Sequence, residues 1–111
     1  MVFNASQMNG MSIYDSEKLS NLASAFELVK YIRGHSFWNT MIDQLSMTRD
    51  GRVTLVPHVG NHTVRLGRTD DYEEKLNNLH VFYREAMPLA GWDRYRVVNI
   101  EYKGQVVCQR R

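Results

Sequence analysis

Four histidines, a single cysteine and a run of carboxylates are the residues of this 111-residue chain whose types and spacing could do chemistry. His58 and His62 have the i, i+4 spacing that turns a pair of imidazoles toward one metal ion from a helix. Pro57 and Gly60 oppose a helix there, and no carboxylate or cysteine stands at a supporting position nearby, so the pair reads as loop histidines beside a β-turn and no metal is expected. Cys108 would act as a nucleophile only with a histidine in hydrogen-bond reach and an electropositive setting to hold the thiolate. Next to Val106 and Val107 in a strand-like run, it reads as a small buried hydrophobe. Glu73 and Glu74, with Asp70 and Asp71, resemble an acid–base group, but in the first turn of a helix such carboxylates offset the dipole. Trp38, Trp92 and Tyr95 could stack a sugar or a base; at junctions where helices must meet a sheet they read as core. Asn4-Ala5-Ser6 and Asn61-His62-Thr63 match the glycosylation sequon, a pattern short enough to arise by chance. No catalytic group and no cofactor emerge from these residues.

The elements that would position them follow from periodicity. Val2 to Gly10 has no strong period and reads as a frayed or edge strand. Leu19, Leu22, Phe26, Val29 and Ile32 recur at three- and four-residue spacing, which predicts a helix from Ser16 to Gly34, capped by Asp15 or Ser16 and with Lys30 and Arg33 at the negative end of its dipole. His35 to Ile42, with Phe37 and Trp38, reads as a short second helix or turn. Asp50-Gly51, between Leu45, Met47 and Val53, Leu55, is a strong hairpin signal because both residues tolerate positive φ. A third strand falls at about His62 to Leu66, alternating Val64 and Leu66 with polar residues. Asp70 and Glu73 have capping-box-like spacing and open a helix in which Tyr72, Leu76, Leu79 and Tyr83 share a face, closed by Pro88 and Gly91.

Composition excludes several classes. At 43% apolar and 23% charged residues the chain has the balance of an ordinary folded domain, and 111 residues predict one domain spanning 1–111. The 14 basic and 12 acidic residues give a net charge of +2 and are spread along the chain, so a phosphate-tracking surface, and with it a nucleic-acid partner, is not expected. Arg65, Arg68, Arg94 and Arg96 would have to converge to make one. The tail Gln109-Arg110-Arg111 reads as a solvated end. No run approaches the roughly 20 apolar residues of a membrane span, and Met1 to Gly10 lacks the features of a secretion signal. Taken literally, the chain is expected in the cytosol.

The C-terminal stretch carries the best binding signal. Val97, Val98, Ile100, Tyr102, Val106 and Val107 suit a half-buried pleated surface, uninterrupted by proline. A strand begins near Arg96 and either continues through a bulge or turns at Lys103-Gly104 into a tight pair. With no later element to pair with it, its backbone groups are open to another polypeptide.

In order from about Leu28 to Cys108, several phrases resemble a known family: Phe37-Trp38, Leu55-Val56-Pro57-x-Val59-Gly60, Tyr72-Glu73-Glu74-Lys75-Leu76, Gly91-Trp92-Asp93-x-Tyr95, Asn99-Ile100-Glu101-Tyr102-Lys103 and Gly104-Gln105-Val106-Val107-Cys108. They look like the C-terminal β domain of FtsQ/DivIB-type bacterial cell-division proteins, in the Bacteroides-like branch. The resemblance implies a non-enzymatic scaffold of the division machinery. Such a scaffold joins FtsB-like and FtsL-like proteins to the septal wall synthases from the extracytoplasmic, periplasmic face of the inner membrane. It further implies a fragment whose membrane span and POTRA-like domain are missing. Tyr102 matches a tyrosine of the family's binding strand and Gly104 lies in the small-residue stretch after it, whereas Val106-Val107-Cys108 replaces the small and aromatic residues of better-known branches.

Together these readings predict an α+β fold, a mostly antiparallel sheet with amphipathic helices packed on one face. A partner strand would add along a 97–108 edge, with Ile100, Tyr102, Gly104, Gln105, Val106, Val107 and Cys108 as the contacting residues. An edge-paired homodimer is a competing use of the same surface. The rival reading is a small enzyme or ligand-binding domain with a pocket between sheet and helices, lined by Trp38, Tyr83 or His80.

Overall fold

In the computed structural model, which describes residues 2–4 and 16–110, Asp50-Gly51 turns the chain between strands β2 (Ile42–Met47) and β3 (Val53–Pro57). Gly51 takes φ +86°, a left-handed angle at which a side chain is strained, and its N–H donates to the Thr48 carbonyl at 3.0 Å. The Thr48 hydroxyl bonds to the Asp50 carboxylate, which holds that carboxyl below its ordinary range. From helix α1 (Ser16–Gly34), the Asn21 amide donates to the Arg49 carbonyl at 2.7 Å and so pins the hairpin tip to the helix.

The remaining elements are β1 (Val2–Asn4), α2 (Ser36–Met41), β4 (Thr63–Gly67), α3 (Tyr72–Glu85), α4 (Met87–Ala90), β5 (Tyr95–Asn99) and β6 (Val107–Arg110). They make an α+β fold with one six-stranded sheet in the order β1-β2-β3-β4-β5-β6. Every neighbouring pair is antiparallel except β4 and β5, which are parallel. A parallel pair needs a crossover of a dozen or more residues. Here α3 and α4 supply it.

Alternation along the strands decides which residues go inward. Leu45 and Met47 on β2, Val53 and Leu55 on β3, Val64 and Leu66 on β4, and Val98 on β5 join Leu22, Leu28 and Ile32 of α1, Trp38 of α2, Leu76, Leu79 and Tyr83 of α3 and Met87 of α4 in one buried cluster. Between the inward residues stand Gln44, Ser46, Thr54, Val56, Thr63, Arg65 and Asn99, none of them fully buried. Phe26, placed by periodicity on the buried face of α1, is half-buried, and Ala25 and Leu28 fill that face beside Leu22.

Two local expectations are corrected. Helix α3 does not open on an Asp70/Glu73 capping box: its N-cap residue is Asp71, which takes φ 55° and makes no side-chain cap hydrogen bond. The left-handed step spends the first turn on backbone bonds, Tyr72 N–H to the Thr69 carbonyl and Lys75 N–H to the Asp71 carbonyl, leaving Asp70 outside the helix. Pro88 likewise does not terminate α3, which stops at Glu85; it sits in the first turn of α4, where its missing N–H costs nothing. Asp15 and Ser6, placed at a helix cap and in a sequon, lie outside the described residues.

Candidate functional site: the open edge at the C-terminal strand

The C-terminal stretch is a pair of strands rather than one continuous edge. Val97 and Asn99 of β5 pair with Gln109 and Val107 of β6 on one side, while Thr63, Val64 and Arg65 of β4 flank β5 on the other. β5 is therefore interior, and among the described residues β6 is the edge strand on this side of the sheet, with β1 at the other. Of the residues assigned to the edge from sequence, Ile100 is buried instead: it is 1% exposed, and its N–H donates to the Arg65 carbonyl at 2.9 Å, toward β4. Tyr102, Gly104 and Gln105 occupy the connection between β5 and β6, where Gln105 N–H donates to the Tyr102 carbonyl at 3.2 Å. Val106 precedes β6 and packs against the core. Val107 and Cys108 lie on the edge strand itself.

Register shows which backbone groups of β6 face outward. Because Ile100 N–H reaches Arg65, and Val98 stands opposite Val64 in the parallel pair, Val98 and Ile100 direct their backbone groups to β4 and the alternate residues Val97 and Asn99 direct theirs to β6. Their partners Gln109 and Val107 are then turned inward, and Cys108, opposite Val98, turns its N–H and C=O to the free side. The Cys108 side chain points to the core and is half-buried, and burial raises its thiol pKa, which favours the neutral thiol over the thiolate. Val107 is 47% exposed on the other face, and Tyr102 is 58% exposed beside the strand's beginning.

The two ends of β6 differ electrostatically. At the Val107 end a cleft of about 360 Å³ has both signs of charge: Lys103 is 4.0 Å from Glu74, and Glu101 accepts from the Asn99 amide at 3.0 Å. Lys75, 8% exposed, lies in its wall and donates to the Leu66 and Arg68 carbonyls at 3.3 and 2.8 Å. At the other end Tyr95 pairs with Arg110 beside a register shift, so the exposed Arg94 and Arg96 are the chain neighbours of Arg110's partner, and the Arg96 guanidinium donates to the Gln109 side chain at 3.1 Å.

The other residues singled out by type behave as follows. His58 is exposed and pairs with Asp43 at 3.2 Å, whereas His62 is buried and hydrogen-bonded to the Tyr83 hydroxyl at 2.6 Å. They occupy different environments, and among the described residues no group of three or more His, Cys, Asp or Glu converges to hold a metal. Trp38 is fully buried, and Trp92 and Tyr95 are half-buried against the core, as aromatics at element junctions should be. Where a pocket between helices and sheet was the rival expectation, the His80 ring stacks on Phe37 at 4.1 Å and meets Trp38 at 5.8 Å, and Trp38 meets Tyr83 at 6.2 Å. A second, apolar groove of about 460 Å³ lies between Phe37, Met41 and Val59. Among the described residues no helix is long and apolar enough to cross a membrane.

Sequence reasoning did not find the His62–Tyr83 bond or the burial of Lys75. The only sequence signal for either was a polar residue on an otherwise apolar face, as Lys75 is beside Leu76 and Leu79.

The model of the family described as FtsQ/DivIB, C-terminal related, matches residues 4–109. No curated protein and no solved structure shows significant similarity to the chain.

Proposed function

The chain belongs to the FtsQ/DivIB, C-terminal related family, and from that premise we propose that it is a non-catalytic scaffold domain of the bacterial division machinery. On this reading β6 accepts a strand from an FtsB-like or FtsL-like partner. The observation that carries the proposal is the outward-turned N–H and C=O of Cys108 on an edge strand. An unpaired strand edge is a template for β-augmentation: main-chain hydrogen bonds supply affinity and alternate side chains supply specificity. Val107 on one face and Tyr102 beside the strand would contact the partner's side chains, with Gly104, Gln105 and Val106 shaping the approach. Ile100 acts only through the core, by fixing β5. The helices would back the sheet on its core side and leave the edge clear. The domain works on the periplasmic side of the inner membrane, tethered through a segment outside this sequence. A second copy of the chain competes for the same edge.

The test is calorimetric titration of the domain with the extracytoplasmic segment of the FtsB-like protein from the same organism, alone and premixed with its FtsL-like companion. Proline at position 108 removes an outward donor without breaking a bond to β5, so Cys108→Pro should abolish binding while Cys108→Ala retains it. Circular dichroism checks that both variants fold. Equal affinities for the two would exclude strand addition at β6.

A further inference from the structure

The backbone of β6 offers the same hydrogen-bonding groups to a strand arriving in either direction, so something else must fix the direction and register of an added segment. Charge at the two ends of the strand differs enough to do so. Arg94, Arg96 and Arg110 are all exposed and lie around the Tyr95–Arg110 pair. None of the three has a carboxylate within ion-pair distance among the described residues. The nearest acids in sequence are Asp93, which accepts from the Asn61 amide at 3.3 Å, and Glu101, which accepts from the Asn99 amide at 3.0 Å; Asp93 offsets one of the three charges and leaves the end of the strand net positive. The Val107 end has no such surplus, because in its cleft Arg52, Arg68, Lys75 and Lys103 stand with Asp70, Asp71, Glu74 and Glu101, and Lys103 faces Glu74.

We infer that Arg94, Arg96 and Arg110 form a cationic rim that receives acidic side chains of the polypeptide added to β6, and so sets which of its ends lies beside Arg110. This rests on the strand-addition reading above. Guanidinium is suited to the task, since its planar fork accepts a carboxylate through paired N–H donors. The hydrogen bond from Arg96 to Gln109 holds one of these forks next to the edge strand before any partner arrives. A partner with basic residues at that end would meet like charge on approach and either reverse direction or fail to dock.

The experiment measures association and dissociation rates of the FtsB-like extracytoplasmic segment with the wild-type domain, Arg96→Glu, Arg110→Glu and the edge variant Cys108→Pro, at about 50 and about 300 mM NaCl. Arg94→Glu, in the turn before β5, gives the same answer should a strand variant misfold. The arginine variants should lose roughly tenfold in association rate at low salt, with the gap closing at high salt. Changing an acidic residue of the segment to lysine should restore association to Arg110→Glu. Unchanged rates and salt dependence in all three arginine variants, with binding still lost in Cys108→Pro, would overturn the rim and leave strand addition standing. If the wild-type domain binds no segment, both readings fall. If fluorescein-labelled single-stranded DNA binds as tightly as the segment and is lost in the same arginine variants, the rim reads phosphate and the inference is overturned.

Discussion

The His62 imidazole and the Tyr83 hydroxyl are joined by a 2.6 Å hydrogen bond inside the core, tying the start of β4 to the last turns of α3. Both are at most 3% exposed, and the Tyr83 ring also meets Trp92 at 5.1 Å. Tyr83→Phe keeps the packing and removes the bond, so it should cost about 1–3 kcal/mol, the desolvation penalty of a buried polar group that loses its partner. Urea unfolding of the two proteins, with unchanged denaturant dependence, measures it.

The same hydroxyl gives an alkaline limit. Burial, with a smaller contribution from Cys108, raises the Tyr83 pKa above the ordinary 10.0. The neutral form is favoured by folding, so this contribution is complete below the unfolded value of 10.0 and is lost as pH rises through the raised folded value. Ultraviolet titration should show Tyr83 ionising only together with unfolding, and that late component should be missing in Tyr83→Phe. Early ionisation with the fold intact would contradict its burial.

Gly67 ends β4 at φ +73°, and a Cβ there would come within 2.6 Å of Glu101 Cγ. Gly67→Ala therefore incurs a backbone cost and a steric one, together about 1–3 kcal/mol. The double variant Gly67→Ala, Glu101→Ala should recover the steric part and not the backbone part. Thermal unfolding of the single and double variants separates them; full recovery would mean that the φ angle is not strained.

Legibility in the sequence followed the range of the interactions. Asp50-Gly51 announced its hairpin because turn chemistry is local, and α1 was bounded correctly by Ser16 and Gly34 because its period and its terminal glycine sit within one element. The start of α3 lies one residue beyond the Asp70 cap that the spacing predicts, because Asp71 adopts a left-handed angle. Between a bulge and a turn at Lys103-Gly104 the local sequence does not choose, because the pairing that places β5 is the parallel one with β4, more than 30 positions earlier in the chain. The same long-range pairing moved Ile100 from the edge into the core. Tyr102, Val107 and Cys108 could be placed near an edge from sequence, but which of them turns its backbone outward depends on that register.

Lys75 holds the end of β4 by donating to the Leu66 and Arg68 carbonyls. Lys75→Met preserves the length of the side chain and its packing while leaving both acceptors with fewer partners, so it should destabilise the domain by about 1–3 kcal/mol. Arginine at the same position, bulkier and planar at its tip, should not restore the loss fully. Hydrogen exchange should show faster opening at Leu66 to Thr69 than elsewhere. Unchanged stability would mean that water already serves these carbonyls.

Cys108 reports directly on the edge, because its backbone faces outward while its thiol is half-buried toward the core. Burial raises the thiol pKa above the ordinary 9.0, so at neutral pH alkylation by iodoacetamide should run slower than for a free thiol. The rate should climb as pH rises through the raised value. By linkage, the stability associated with the neutral thiol is complete below the unfolded value and lost above the folded one. A bound partner strand should slow alkylation further at every pH, since it covers the edge without supplying a base. If the edge is instead filled by a second copy of the chain, protection should grow with protein concentration in the absence of any partner, and dilution should remove it. Reactivity that is independent of both partner and concentration would place the binding surface away from β6.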